Sequence, residues 1–256
     1  MPEPTAPTFP RAPLAAVLAA IAFAASACGA GDDSLRDGNL GRGTFRYRCV
    51  RAEDPACVES SSRTNDGLSS DVASRDRPAV FPKAIALGGI FDVTFQPDAR
   101  DVGFPTLKPV APDYLTRLTD AFIARKAGVA SIAAYRSSDD TFLDFMTIRI
   151  APVNRIAMFD PATRTAYPDP LRMRAGESRV VALNATGSAG ETLAGALDFT
   201  WSSSVPTTVA FSGPSPAVRM TLTAGEPGVS QIEVTIAGVD GVRAQLTVEV
   251  AAAEAR

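Results

Sequence analysis

The sequence predicts an all-β protein: two tandem all-β units that follow a signal peptide and a flexible, disulfide-stapled tether. Three observations carry this. Twenty Pro and nineteen Gly in 256 residues demand many turns and argue against a helical bundle. Apolar and β-branched residues alternate in short runs separated by turn residues. Several of those runs recur in the same order later in the chain.

The first element is an apolar run, Leu14 to Ala27, "LAAVLAAIAFAASA". As a helix it would reach about 21 Å, short of the roughly 30 Å hydrocarbon core of a bilayer. That length suits the hydrophobic region of a secretory signal, with Arg11 as the basic residue before it. The run closes on Ala25-Ser26-Ala27-Cys28. These residues resemble the lipobox of bacterial lipoproteins, although Ala25 stands where Leu is most usual. The resemblance implies cleavage before Cys28, diacylglycerol on its thiol and acylation of the new amine, including a palmitate-type chain. Gly29, rather than Asp, follows the cysteine, which in such lipoproteins favours the outer membrane. An ordinary cut after Ala25 or Ala27 would instead leave Cys28 as a free thiol. Residues 1–27 are thus read as the signal and 28–78 as a lipid-anchored tether, with Asp32 and Asp33 keeping it hydrated.

With Cys28 set aside, Cys49 and Cys57 remain, and an even pair in an exported chain reads as a disulfide. Their spacing is too wide for a redox C-x-x-C, and no second metal-ligand pair accompanies them. Closing so short a loop contributes about 2.5 kcal/mol in the chain-entropy model. Just upstream, "GTFRYRC" alternates, with Phe45, Tyr47 and Cys49 on one side, so a short strand leads into the crosslink. The expectation is a stapled element of the tether, outside both units. Glu59 to Arg77, "ESSSRTNDGLSSDVASRDR", has too little apolar surface to offset its ordering entropy and reads as a linker.

Beyond the linker the strands begin. Phe91, Val93 and Phe95 alternate in "IFDVTF". "GVASIAA" at Gly128, "FMTIRI" at Phe145, "GVSQIEVTI" at Gly228 and "AQLTVEV" at Ala244 follow the same rule. No stretch of helical period with caps competes strongly; the best candidate starts at Pro112, "PDYLTRLTDAFIARKAG", but its Phe122 and Ile123 continue as a strand into the Gly128 turn. Gly128 and Gly228 each precede a strand and are expected at positive φ.

Four blocks then match in pairs. "GGIFDVTF" at Gly88 pairs with "GESRVVAL" at Gly176, and "TLKPVAPDYL" at Thr106 with "TWSSSVPTTV" at Thr200. "KAGVASI" at Lys126 pairs with "EPGVSQI" at Glu226, and "FMTIRI" at Phe145 with "QLTVEV" at Gln245. The spacing changes upstream, which places an insertion in the second copy near "NATGSAGETLAGA". One all-β unit is duplicated, over residues 79–152 and 153–251.

The second copy resembles the group 2 bacterial immunoglobulin-like (Ig-like) domain of intimin- and invasin-like surface proteins. The residues that carry this are "LRMRAGESRVVALNATGSAGETLAG", "FTWSSSVPTTVAF", "LTAGEPGVSQIEVTIAG" and "AQLTVEV". The first copy matches well only in "FIARKAGVASIAA" and "DFMTIRI" and lacks the Trp. The resemblance implies an Ig-like β-sandwich per unit and no active site. Trp201, alternating with Leu197 and Phe199, is expected in the core between the sheets.

Chemistry is sparse. There is no His, so a Ser-His-Asp or Cys-His device is excluded. Lys83, Lys108 and Lys126 complete no S-x-x-K motif, and no phosphate-cradling loop is present. "SSDD" at Ser137, with Asp144 nearby, could be drawn as a calcium site but reads more simply as a hairpin turn. Asn184-Ala-Thr186 fits a glycosylation sequon that carries no weight in a bacterial-type chain. Net charge is −3, which offers no basic field to nucleic acid. The expectation is a non-catalytic, cofactor-free and metal-free envelope protein, lipid-anchored in the outer membrane. Its modules would be structural, adhesive or interacting, with an envelope or surface protein or a polysaccharide as partner. A carbohydrate-binding module, an accessory subunit of an envelope complex and a paired-acid hydrolase are the alternatives. The first of these wants exposed aromatic platforms, and the last a cleft with two carboxylates.

Overall fold

Apolar alternation decides where each strand turns its side chains, and long-range pairing then decides which strands become neighbours. The computed structural model describes residues 35–49, 51, 53–57, 81–99, 103–213 and 217–252. The signal segment, Cys28, Asp32, Asp33 and the Ser-rich stretch lie outside the described residues.

The first module contains β1 (Leu35–Asp37), β2 (Gly43–Arg48), β3 (Ala84–Ala86), β4 (Ile90–Pro97) and β5 (Pro105–Pro109). It continues through β6 (Leu115–Arg117), β7 (Phe122–Ala124), β8 (Gly128–Arg136) and β9 (Phe142–Ala151). One sheet runs β1-β2-β4-β7-β6 and its partner contains β3-β9-β8-β5. Between them lies a core of Phe45, Tyr47, Phe91, Phe95, Leu115, Phe122, Ile132 and Met146.

The second module contains β10 (Arg155–Phe159), β11 (Leu171–Arg174), β12 (Ser178–Thr186), β13 (Leu193–Ala194) and β14 (Phe199–Ser203). It closes with β15 (Val209–Ser212), β16 (Arg219–Ala224), β17 (Gly228–Ile236) and β18 (Val239–Ala251). Its sheets run β10-β12-β16-β15 and β11-β18-β17-β14. Val181, Leu183, Phe199, Val209, Leu222, Ile232, Val234 and Val248 fill the space between them.

The two modules share one topology. β2-β4-β7-β6 corresponds to β10-β12-β16-β15, and β3-β9-β8-β5 to β11-β18-β17-β14. In each module one strand runs parallel to the last, β3 to β9 with Ile85 against Ile150 and β11 to β18 with Met173 against Val250, while the other pairs within the module are antiparallel. A four-stranded sheet facing the sheet that holds the closing hairpin is the Ig-type arrangement. The four duplicated blocks fall on equivalent strands: β4 with β12, β5 with β14, β8 with β17, and β9 with β18. Gly128 and Gly228 open β8 and β17 at φ 139° and 156°. A Cβ on Gly128 would lie 2.8 Å from the Tyr114 ring, and one on Gly228 3.1 Å from Thr208 Oγ1.

One expectation is corrected here. Residues 35–48 are not tether, because β2 pairs along its whole length with β4, from Gly43–Pro97 to Arg48–Asp92. Phe45 and Tyr47 are fully buried; Phe45 lies 4.7 Å from Phe95 between ring centroids, and Tyr47 stacks on Phe91 at 6.3 Å. The first module therefore begins before the cysteines, and the Ser-rich stretch interrupts it between β2 and β3. In the segment at Pro112, Phe122 and Ile123 lie on a strand, as read from the sequence. Only one turn forms, Ala111 O accepting from Tyr114 N and Leu115 N, before the chain extends into β6 and β7. Leu115 and Phe122 each find a place in the sheet core, which outweighs local helical preference.

Candidate functional site

The insertion in the second copy builds the most unusual feature of the molecule. It carries β13, which leaves its own module and adds to the first: Leu193 pairs with Ala84 and Ala194 with Ile85, in parallel. Beyond it, Ile90 N donates to Ala196 O at 3.0 Å and Ala196 N to Ile90 O at 2.7 Å. Ala194 is buried in the first core, while Ala84 and Ala86 are buried in the second. The backbones approach so closely that a Cβ on Gly89 would lie 3.3 Å from Gly195 Cα and 2.9 Å from Ala86 O. Two glycines meet because only they leave room. Glu191 adds an ion pair to Arg149 at 2.5 Å.

The disulfide loop fastens this strap. Cys49 and Cys57 are bonded, as the pairing of the two remaining cysteines implied. Inside the loop, Asp54 is only 2% exposed. Its carboxylate accepts from Tyr47 Oη at 2.5 Å, from Ala56 N at 3.0 Å and from Gly195 N at 3.0 Å. One acid thus ties β2, the loop and the strap together. Burial holds the Asp54 carboxyl up at about 6, although the three donors pull the other way. Burial beside that carboxylate also pushes the Tyr47 hydroxyl well above its ordinary value. Arg51 in the same loop pairs with Asp92 at 3.5 Å. Burial raises the Asp92 carboxyl, opposed by Arg51 and Arg48. A cleft of about 600 Å³ flanks the joint, floored by Ile90, Ile123, Leu197 and Ile236 and edged by Arg51 and Arg125.

The remaining singled-out residues settle as follows. Trp201 points inward but is only half-buried: its Nε1 donates to Ala217 O at 2.9 Å and its ring meets Phe211 at 6.0 Å. Phe199 occupies the fully buried site two residues earlier. Asp144 does not belong to the Ser137 turn. It is fully buried and accepts from Leu40 N and Arg42 N at 2.8 Å and Phe145 N at 2.7 Å, which clamps the β1–β2 turn. Ser137, Asp139 and Asp140 form the β8–β9 hairpin turn, where Lys108 pairs with Asp140 at 2.8 Å. Lys108 also stands 4.9 Å over the Tyr135 ring. Asn184 lies within β12. Among the described residues no group of three or more His, Cys, Asp or Glu could hold a metal ion. Nor is any helix there long and apolar enough to cross a membrane.

No protein-family model and no curated protein matches the chain. Solved structures do. Domains 4 and 5 of the S-layer protein SbsC align over 65% of this chain and 91% of that one, at 13% identity and TM-score 0.32. The Escherichia coli adhesin FdeC aligns over 68% and 62%, at 18% identity and TM-score 0.33. Invasin, a bacterial integrin-binding protein, aligns over 67% and 38%, at 13% identity and TM-score 0.32. The alignment to SbsC domains 1–6 spans 23% of that chain. The Ig-type assignment rests on strand order rather than on these alignments.

Proposed function

We propose that the protein is a non-catalytic component of the cell envelope, acylated at Cys28 and held in the outer membrane. Its two Ig-type modules act as one structural or adhesive element that carries an interaction surface for an envelope or surface protein or a polysaccharide. The joint supports this reading. A strap, a buried carboxylate and a disulfide loop unite the two modules into a continuous body, as a spacer or adhesive arm requires. An inserted strand that satisfies its hydrogen bonds on a neighbouring module leaves little freedom for hinge closure over a substrate.

Envelope fractionation of cells making wild type and Cys28→Ala tests it. Wild type is expected in the outer-membrane fraction, with a mature N-terminus whose mass carries acyl chains. Cys28→Ala is expected to be released from the membrane. Wild type recovered without lipid in the soluble fraction overturns the anchored reading.

A further inference from the structure

We propose that the aromatic outer face of the first module's β5-β8-β9 sheet rests on the bilayer surface; this builds on the Cys28 anchor of the proposed function. Tyr135, Phe142 and Phe145 form a connected group on that face, with ring centroids 5.7 Å and 6.4 Å apart. Phe142 is 39% exposed. Asn39 N donates to Phe145 O at 2.8 Å, which brings the β1–β2 turn to the edge of β9 beside Phe145.

The duplication supplies an internal control. In the second module, Thr235 stands in the place of Tyr135, Gln245 in that of Phe145 and Glu233 in that of Ala133. The same sheet face of the same topology is hydrophilic there, so the fold does not need aromatics at these places. Large rings left in water mark a contact surface.

The bilayer is the occupant because of where the chain enters. Arg36 Nη1 donates to Thr147 O at 2.9 Å, two residues along β9 from Phe145. Cys28 precedes Leu35 by seven residues. Seven residues span at most about 25 Å, so an acylated Cys28 keeps Leu35, which enters beside β9, within about that distance of the headgroups. A weak surface then suffices, because the anchor supplies a high effective concentration. The composition suits the interface: rings with an apolar body settle at headgroup depth, and Lys108 can extend its amine to water. Lys108 is already neutralised by Asp140, so contact comes from ring burial rather than from charge.

The test uses the mature, acylated full-length protein on vesicles of phosphatidylethanolamine and phosphatidylglycerol. An environment-sensitive fluorophore is placed at Phe142→Cys and, as control, at Thr235→Cys. Mass spectrometry of the same samples reports the acyl chains. A blue-shifted label at 142, quenched by bromine-bearing lipid, with an unquenched label at 235, is expected. An acylated protein whose two labels are equally wet overturns the docking and leaves the anchor standing. A protein without acyl chains overturns the anchor and the docking with it. In the soluble Cys28→Ala protein, a shielded label at 142 with doubled mass assigns the face to a second copy and overturns the bilayer contact.

Discussion

Asp54 is a carboxylate whose surroundings oppose its charge while its three donors stabilise it. Burial wins: the folded-state value is about 6 against 3.8 for a free aspartate. The folded protein therefore holds this proton more tightly than the unfolded chain. The stability tied to it is present below about pH 4 and is lost as pH rises through about 6, on the order of 3 kcal/mol. Asp54→Asn is expected to remove that slope. The difference in urea midpoint between variant and wild type, followed from acid to neutral pH, reads it directly; an unchanged slope refutes the assignment. Asp144 accepts from Leu40 N and Arg42 N of the β1–β2 turn and from Phe145 N beside it on β9. Asp144→Ala orphans them and should lower stability by about 3 kcal/mol, with calcium making no difference to the urea midpoint of either protein. Trp201 and Phe199 separate what alternation alone merges. Phe199→Ala should lose about 4 kcal/mol, and Trp201→Ala, being half-buried, about 2 kcal/mol.

At the scale of elements, the disulfide loop is part of the joint rather than an ornament of a tether. Opening it frees about 2.5 kcal/mol of chain entropy in the unfolded state and also releases Asp54 from Gly195. Reduction should therefore lower the thermal midpoint of the first module, where a free-standing staple would have left it unmoved. Calorimetry with and without a dithiol distinguishes the two. Gly89 is the steric counterpart. Gly89→Leu puts side-chain atoms where Gly195 approaches and should lift β13 from β3. Hydrogen exchange at Leu193 to Ala196 should rise sharply, while the second module's β17–β18 hairpin stays protected.

For the whole molecule, the joint predicts shared stability. An isolated module of residues 153–251 retains all eight Ig-type strands and should still fold as a β-sandwich. It uncovers Ala194, which is buried in the first module's core in the intact chain, and loses Ala84 and Ala86 from its own core. We expect it to be less stable than the same module within the full chain, by urea unfolding followed at Trp201. Equal stability would mean that the strap contributes nothing to cooperativity.

By itself the sequence determined the all-β class, the duplication, the strands that match between copies, the place of the insertion and the pairing of Cys49 with Cys57. These follow from local periodicity, turn residues and cysteine count, which need no knowledge of distant neighbours. Only the tertiary structure decided that residues 35–48 open the first module, that Asp54 and Gly195 meet across 141 positions, and that Asp144 clamps a turn rather than lining one. It also decided that the aromatics of β8 and β9 face outward together. The reason is physical: a short alternating run such as "GTFRYR" has no partner in its own neighbourhood. Whether it becomes tether or sheet depends on Phe95, Val93 and Phe91, which lie beyond a Ser-rich interruption that periodicity cannot cross.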